Sequence, residues 1–432
     1  MFSTLVNAFK DAEIRKKLLI TLGLLFLFVL GTWVPVPGIS SSVFKESESN
    51  LILDLLNSIN GGALSNCAIL ALGATPYIFA SIIIRMLAGV IPSWQRLSRE
   101  GEEGQRKINF YVRIATLIFA IAQAVGVVFN YASTGAIVET AIFGVPALTY
   151  IFVGAIMVAG AMFTLWLGEK ITEKGIGNGI SLLIFIGILS STSIAIYETI
   201  ASAVSSVENL DSLWSLIIFL VATIIIFFLI VFVDLARRKI QVTYAKQIKG
   251  RKMYGGQSTD LELKVNASGV MPIIFASSLL AFPHVIIQLA GSSSPFAIWW
   301  STYLGVGSII YTIVSAILIF AFTFFWAPFV FDPDQAAKEI QERGGMVSMY
   351  RPGKPTANYL RQVNNRLVLF GALFLALLYL LVTLLFTFVS TGSLVNALSC
   401  AGMLIIVSVA LDFSNKLEEQ MLIKNYKGFL KK

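Results

Sequence analysis

The chain has 432 residues, of which 56% are apolar (AVILMFWYC) and only 13% charged, with 32 Lys and Arg against 24 Asp and Glu for a formal charge of +8. Ordinary soluble domains carry about 25% charged residues, so a water-soluble enzyme of this length is nearly excluded. The chain must face something other than water.

A helix crossing the roughly 30 Å hydrocarbon layer needs about 20 mostly apolar residues. In chain order such runs fall at residues 18–33, 68–91, 114–129, 149–167, 177–196, 213–233, 270–289, 303–329, 367–389 and 397–411, which predicts ten spans. Ahead of the first, the segment 1–17 places Phe2, Leu5, Val6 and Phe9 at helical spacing before a basic cluster. That is the pattern of a short helix lying on a membrane surface. After the first span Pro35-Val36-Pro37-Gly38 turns the chain, and no small-x-small cleavage site follows, so this run is not read as a leader peptide.

An even number of spans puts both termini on one side. Of the 32 Lys and Arg, all but Lys45 and Arg85 fall in the N-terminal segment, in alternate loops and in the tail 413–432. Basic residues are retained in cytoplasmic loops, which orients both termini to the cytoplasm. The positive charge is therefore a topology signal first, and nucleic-acid binding is the weaker reading. Two of the basic loops, 235–269 and 332–365, far exceed the usual connection of about 2–8 residues and predict a partner surface. Within the first, Ile240, Val242 and Tyr244 alternate, as do Leu261, Leu263 and Val265, which predicts a projecting hairpin.

The second span contains Pro76-Tyr77-Ile78-Phe79-Ala80-Ser81 and the seventh Pro272-Ile273-Ile274-Phe275-Ala276-Ser277. Chance in an apolar chain is the competing explanation, but both hexamers sit in the second span of five. Five spans per half predicts inverted halves, 18–200 and 201–412, related across the membrane plane. Interrupted helices at such a repeat interface line the path of many membrane conduits.

The residues for catalysis at depth are missing. His284 is the only histidine and follows Pro283 near a span end, so neither a two-His zinc site nor a secure Ser-His pair can be built. Cys67 and Cys400 are isolated thiols without metal spacing. No catalytic, cofactor or metal site is expected. Arg85 is the one deep charge, and snorkelling explains it as well as function does. Gly175-Ile176-Gly177-Asn178-Gly179 lacks a nucleotide-binding spacing and reads as a tight turn letting the fourth and fifth spans approach closely. Without polar coordination, selectivity would rest on shape and apolar constrictions. Ala74 and Ile78 share a helix face, as do Ile180 and Ile184.

Longer motifs carry a family resemblance. Gly61-Gly62-Ala63-Leu64-Ser65, Ala71-Leu72-Gly73 with Pro76-Tyr77, Trp166-Leu167-Gly168-Glu169, the run from Ile171 through Gly179-Ile180-Ser181, Tyr244-Ala245-Lys246, Gln257-Ser258-Thr259 and Arg351-Pro352-Gly353 resemble the bacterial SecY family. That family supplies the channel subunit of the protein-conducting translocon. The resemblance implies an all-α membrane fold with ten transmembrane helices in two inverted halves around a central hourglass pore. Its apolar pore ring falls on Ala74, Ile78, Ile180, Ile184, Ile274 and Ile405. A plug, a short helix over about residues 53–66, would include Leu53, Leu56, Ile59, Gly61, Gly62, Leu64 and Asn66.

The resemblance further implies a lateral gate with Gln123, Ser277 and Ser278, through which signal sequences enter the lipid bilayer. Lys246, Lys249, Arg251, Lys252 and Arg351 match a surface that docks the SecA motor ATPase or the ribosome, ribosomal RNA included. Partner subunits SecE and SecG are implied as well. The chain departs from the family at Val29, before Leu30-Gly31, and at Ser399-Cys400-Ala401-Gly402. The alternatives left open are a secondary transporter with inverted repeats and a specialised accessory member of the family.

Overall fold

The computed structural model describes residues 9–40, 57, 60–137, 145–205, 210–244, 247–249, 252–254, 258–290, 295–305, 308–347, 350–388 and 400–430. The chain divides into two compact units, residues 1–216 with 281–306 and 390–432, and residues 217–280 with 307–389. Both are dominated by helices.

The first unit begins with α1 (Ala12–Gly31), capped where the Asp11 carboxylate accepts from Glu13 N at 3.0 Å. Ile14, Leu18, Thr21, Leu25 and Phe28 form its buried stripe, while Leu19, Leu22, Phe26 and Leu30 on the other side are more than half exposed. An isolated exposed leucine is unremarkable, but a continuous outer apolar face belongs against lipid. Next come α2 (Thr75–Val90), the short α3 (Pro92–Arg99) and α4 (Glu102–Ser133), then α5 (Pro146–Lys174) and α6 (Gly179–Ser205). α4 packs on both α2 and α5, α5 packs on α6, and α1 lies against α5 and α6. α7 (Leu210–Leu235) follows α6 and passes into the second unit.

In the second unit two strands leave α7: β1 (Arg237–Tyr244) and, after the small hairpin β2 (Gln247–Lys249) with β3 (Lys252–Tyr254), β4 (Ser258–Lys264). β1 and β4 pair antiparallel with Ile240 opposite Leu261 and Val242 opposite Thr259, as the alternation predicts. α8 (Met271–Ala290) starts in this unit and passes into the first, which also holds α9 (Pro295–Leu304); α10 (Ile309–Val330), α11 (Pro333–Glu342), β5 (Gly345–Val347) and α12 (Lys354–Phe388) complete the second. β5 adds to the free edge of β1, giving the order β4-β1-β5 with Val242 opposite Val347. The two long loops therefore build one domain, whose core joins Ile240, Val242 and Leu263 to Ala337, Ile340, Val347, Ala357 and Leu360. α13 (Cys400–Leu430) closes the chain and packs on α6 in the first unit.

Among the described residues six helices are long and apolar enough to cross a membrane, falling within α4, α5, α6, α7, the α10–α11 run and α12. Arg15, Lys16 and Lys17 in its early turns keep α1 out of this set. One predicted span needs correction. The run 68–91 is apolar apart from Arg85 and a few small polar residues, yet its helix starts only at Thr75 and has 16 residues, about 24 Å at 1.5 Å per residue. Residues 60–74 are turns apart from Ala68, which forms an isolated bridge with Pro35. Hydropathy records apolarity, whereas Cys67 at φ 48° and Gly73 at φ 52° occupy left-handed backbone that no helix contains.

Candidate functional site

The turn segment 60–74 is almost fully buried, so its backbone groups need partners inside the protein. Asn60, 3% exposed, supplies one, its Nδ2 donating to Ala71 O at 3.0 Å, while its Oδ1 accepts from the Thr75 hydroxyl at 3.1 Å. Asn57 does the same one turn earlier, donating to Ser65 Oγ at 2.6 Å and accepting from Ser65 N at 3.0 Å. Tyr131, wholly buried on α4, donates from its hydroxyl to Leu64 O at 2.7 Å. Val36 N donates to Cys67 O and Ile69 N to Val34 O, tying the segment to the chain after α1. Gly61 and Gly62 adopt φ +73° and +81°, and a Cβ on Gly61 would sit 3.2 Å from the Gly187 Cα of α6.

Gly61, Gly62, Leu64 and Asn66 of the expected plug lie together in this segment. Within the expected helix of about 53–66, Asn57 is helical while residues 60–66 are turns, because two consecutive glycines at positive φ break helical hydrogen bonding. Leu53, Leu56 and Ile59 lie outside the described residues. Sequence reasoning missed Asn57, Asn60, Thr75 and Tyr131. A buried asparagine in an apolar neighbourhood was the available signal, since such a side chain must find partners.

Helix α2 starts where this segment ends. Pro76 occupies its first turn, where the missing N–H costs nothing, and Ile78 N donates to Ala74 O at 3.1 Å, placing these two candidate ring residues one turn apart. The repeated hexamer is structural as well as sequential. Pro272 is likewise the second residue of α8. Ser81 Oγ donates to Ile78 O at 3.0 Å, and Ser277 Oγ donates to Ile274 O at 3.0 Å. Of the remaining ring candidates, Ile180 and Ile184 lie on α6 and Ile405 on α13, the helix packed against it. Ala74, Ile184 and Ile405 are buried; Ile78, Ile180 and Ile274 are half-buried. Ile274 belongs to the second unit.

The glycine turn before α6 behaves as its composition predicts. Thr21 Oγ1 on α1 accepts from Ile176 N at 3.1 Å, and Thr172 Oγ1 accepts from Gly179 N at 2.8 Å. A Cβ on Gly168, Gly175 or Gly179 would run into Ile180, Thr21 or the Gly168 carbonyl respectively. Only glycine lets α5, α6 and α1 meet this closely.

Gln123, the expected gate residue on α4, is 9% exposed, and its Oε1 has no hydrogen-bond partner. Ser277 and Ser278 lie on α8 in the other unit. Among the docking candidates, Lys246 and Arg251 lie outside the described residues, while Lys249 and Lys252 are backbone partners in the register of the β2-β3 hairpin. Arg351 is exposed on the turn between β5 and α12, where its carbonyl accepts from the buried Thr356 Oγ1 at 2.8 Å. On the outer face of the sheet, Glu262 meets Arg237 Nη1 at 2.7 Å and Lys239 Nζ at 3.4 Å. These hydrogen bonds, Arg237 first, hold its carboxyl below the usual range.

The family model for SecY matches residues 68–414, which include both echo hexamers, the glycine turn and Arg351. The chain belongs to the SecY family. A protein translocase subunit SecY from Mycobacterium bovis is 38% identical over 451 residues, covering 100% of both chains. Two solved structures, each 20% identical and covering 95% of this chain and 93% of the other, share the fold. One is a SecY translocation channel whose plug domain stabilises the closed state, at a TM-score of 0.67; the other is Sec61 in a canine ribosome-channel complex, at 0.65. The SecY-family fold accounts for the buried, non-helical segment: irregular backbone beside membrane helices persists only where protein covers it.

Proposed function

We infer that this multi-pass membrane chain is the channel subunit of a protein translocase, passing unfolded polypeptide across the bilayer. The observation that carries this reading is the match to a protein translocase subunit SecY at 38% identity over 100% of both chains. Similarity to a channel supports transport without chemistry on the cargo, so energy comes from a partner. In this reading the ten predicted spans form two inverted halves, with both termini cytoplasmic in the plasma membrane. Side chains at Ala74, Ile78, Ile180, Ile184, Ile274 and Ile405 form an apolar ring that closes around an extended chain and excludes water.

The segment of about residues 53–66 acts as the plug, and the Asn60–Thr75 hydrogen bond at the start of α2 couples it to the ring. Gln123 with Ser277 and Ser278 forms a lateral gate to lipid. Exposed Arg351 and the β2-β3 lysines support docking of a SecA-type motor or the ribosome, beside subunits of the SecE and SecG kind. The domain built from both long loops favours this, because a folded projection is more than topology requires.

Cysteines placed at Ile78 and Ile274 test the channel directly. Crosslinkers at both positions should capture a precursor stalled in transit in reconstituted vesicles. Failure at both, with the precursor held elsewhere in the complex, overturns the assignment.

A further inference from the structure

The turn that presents Arg351 is clamped by two tyrosines. The Tyr350 ring stacks on Tyr359 with centroids 4.4 Å apart and planes 21° from parallel. Tyr350 is 38% exposed, whereas Tyr359 packs against the domain core, so the stack ties the exposed turn to that core. Upstream, Tyr350 N donates to Val347 O at 3.0 Å, joining it directly to the end of β5. Downstream, Tyr359 lies in the second turn of α12. The Thr356 hydroxyl, on a residue 1% exposed, donates to Arg351 O at 2.8 Å, and Gly353 at φ +100° completes the reversal. Asp334 of α11 makes an exposed ion pair with Arg361 of α12 at 2.6 Å. Arg351 is therefore bracketed by fixed residues while its own side chain stays exposed.

We propose that the Tyr350–Tyr359 stack is a positioning device that fixes the backbone of the turn at Arg351, so that the exposed guanidinium is presented to an acidic surface of the SecA-type motor. A planar guanidinium pairs best with a carboxylate when both N–H groups are aimed together. A side chain on a loose turn must lose more conformational freedom on docking, and ordering the turn in advance removes part of that cost. Offset aromatic stacking supplies rigidity without a charge of its own. The inference rests on reading Arg351 as a docking residue.

The test uses the full-length chain in proteoliposomes with a SecA-type motor, ATP and a secretory precursor, scored by protease protection of the precursor. Tyr350→Ala should lower motor-driven transport about threefold to tenfold, the scale of one aromatic pair. Tyr350→Phe keeps the stack and should restore most of it, whereas a role for the hydroxyl predicts no rescue. Combined with Arg351→Ala, Tyr350→Ala should add no further loss, because the stack acts only through the arginine. Full activity of Tyr350→Ala, absence of rescue by phenylalanine, or multiplying losses in the double variant would each overturn the proposal. Full activity of Arg351→Ala would instead overturn the docking reading on which it rests.

Discussion

The hydroxyl of Tyr131 donates a 2.7 Å hydrogen bond to the carbonyl of Leu64, joining α4 to the turn segment across 67 residues of sequence. Both side chains lie in one core with Val36, Cys67, Leu72, Val127 and Met157. The bond thus fixes a buried, irregular stretch to a long helix. Leu64 O also accepts from Cys67 N at 3.0 Å, so losing the tyrosine hydroxyl leaves the carbonyl one partner. Tyr131→Phe should cost about 1 kcal/mol, read as a lowered unfolding midpoint in detergent. An unchanged midpoint would mean that the bond adds nothing beyond packing.

Asn60 has a larger expected effect. Asn60→Ala removes the donor to Ala71 O and the acceptor for Thr75 Oγ1 together, leaving buried polar groups without those partners. The cost should be about 2–3 kcal/mol, and it falls at the start of α2. Vesicles containing this variant should leak ions more than those containing Tyr131→Phe at matched protein content. Equal leakage would separate the asparagine network from closure of the channel.

Close helix approach is tested by a pair of alanines. Gly179→Ala directs a methyl into the Gly168 carbonyl and should cost about 1–3 kcal/mol or more through displaced helices. Gly23→Ala in α1 meets nothing within 4 Å and should stabilise by about 0.5–1 kcal/mol, since alanine loses less backbone entropy in a helix. Thermal unfolding of the two variants should therefore shift in opposite directions. Shifts of the same sign would show that space around the glycine is not the deciding factor.

The carboxylate of Glu262 gives the sheet a modest acid sensitivity. Its folded value lies below the usual one because Arg237 and Lys239 hold the charged form, so its contribution is present above the ordinary carboxylate range. That contribution fades as pH falls through the lowered folded value. Glu262→Gln should flatten this part of the stability profile by removing a small contribution at neutral pH, on the scale of exposed ion pairs generally, and should match the parent once pH lies below the lowered folded value. Titrating local hydrogen exchange in β1 and β4 of both forms measures it, and matching profiles would remove Glu262 as the source.

Much of this was legible in local pattern. Alternation at Ile240 and Val242 against Leu261 and Leu263 predicted the β1-β4 pairing, because a two-residue period records which face is buried. β5 was hidden because its three residues join β1 from 103 positions away, where Thr243 Oγ1 reaches Met346 O at 3.1 Å. Three residues carry no periodicity to read. The repeated hexamer predicted related halves, and in the structure it opens α2 and α8 alike, with equal serine bonds at Ile78 and Ile274. The extent of α2 was misjudged because apolar residues in turns and in helices have the same hydropathy.

The sequence by itself determined that the chain lives in a membrane, which of its loops carry the basic charge and, through its motifs, which family it resembles. Those properties are sums over local composition, so they survive without coordinates. Tertiary structure decided how residues 60–74 remain buried without being helical and how two distant loops become one domain. Both depend on hydrogen bonds and packing between residues far apart in the chain. Asn60 and Tyr131 look like ordinary polar exceptions in the sequence, and only their partners in space give them a role.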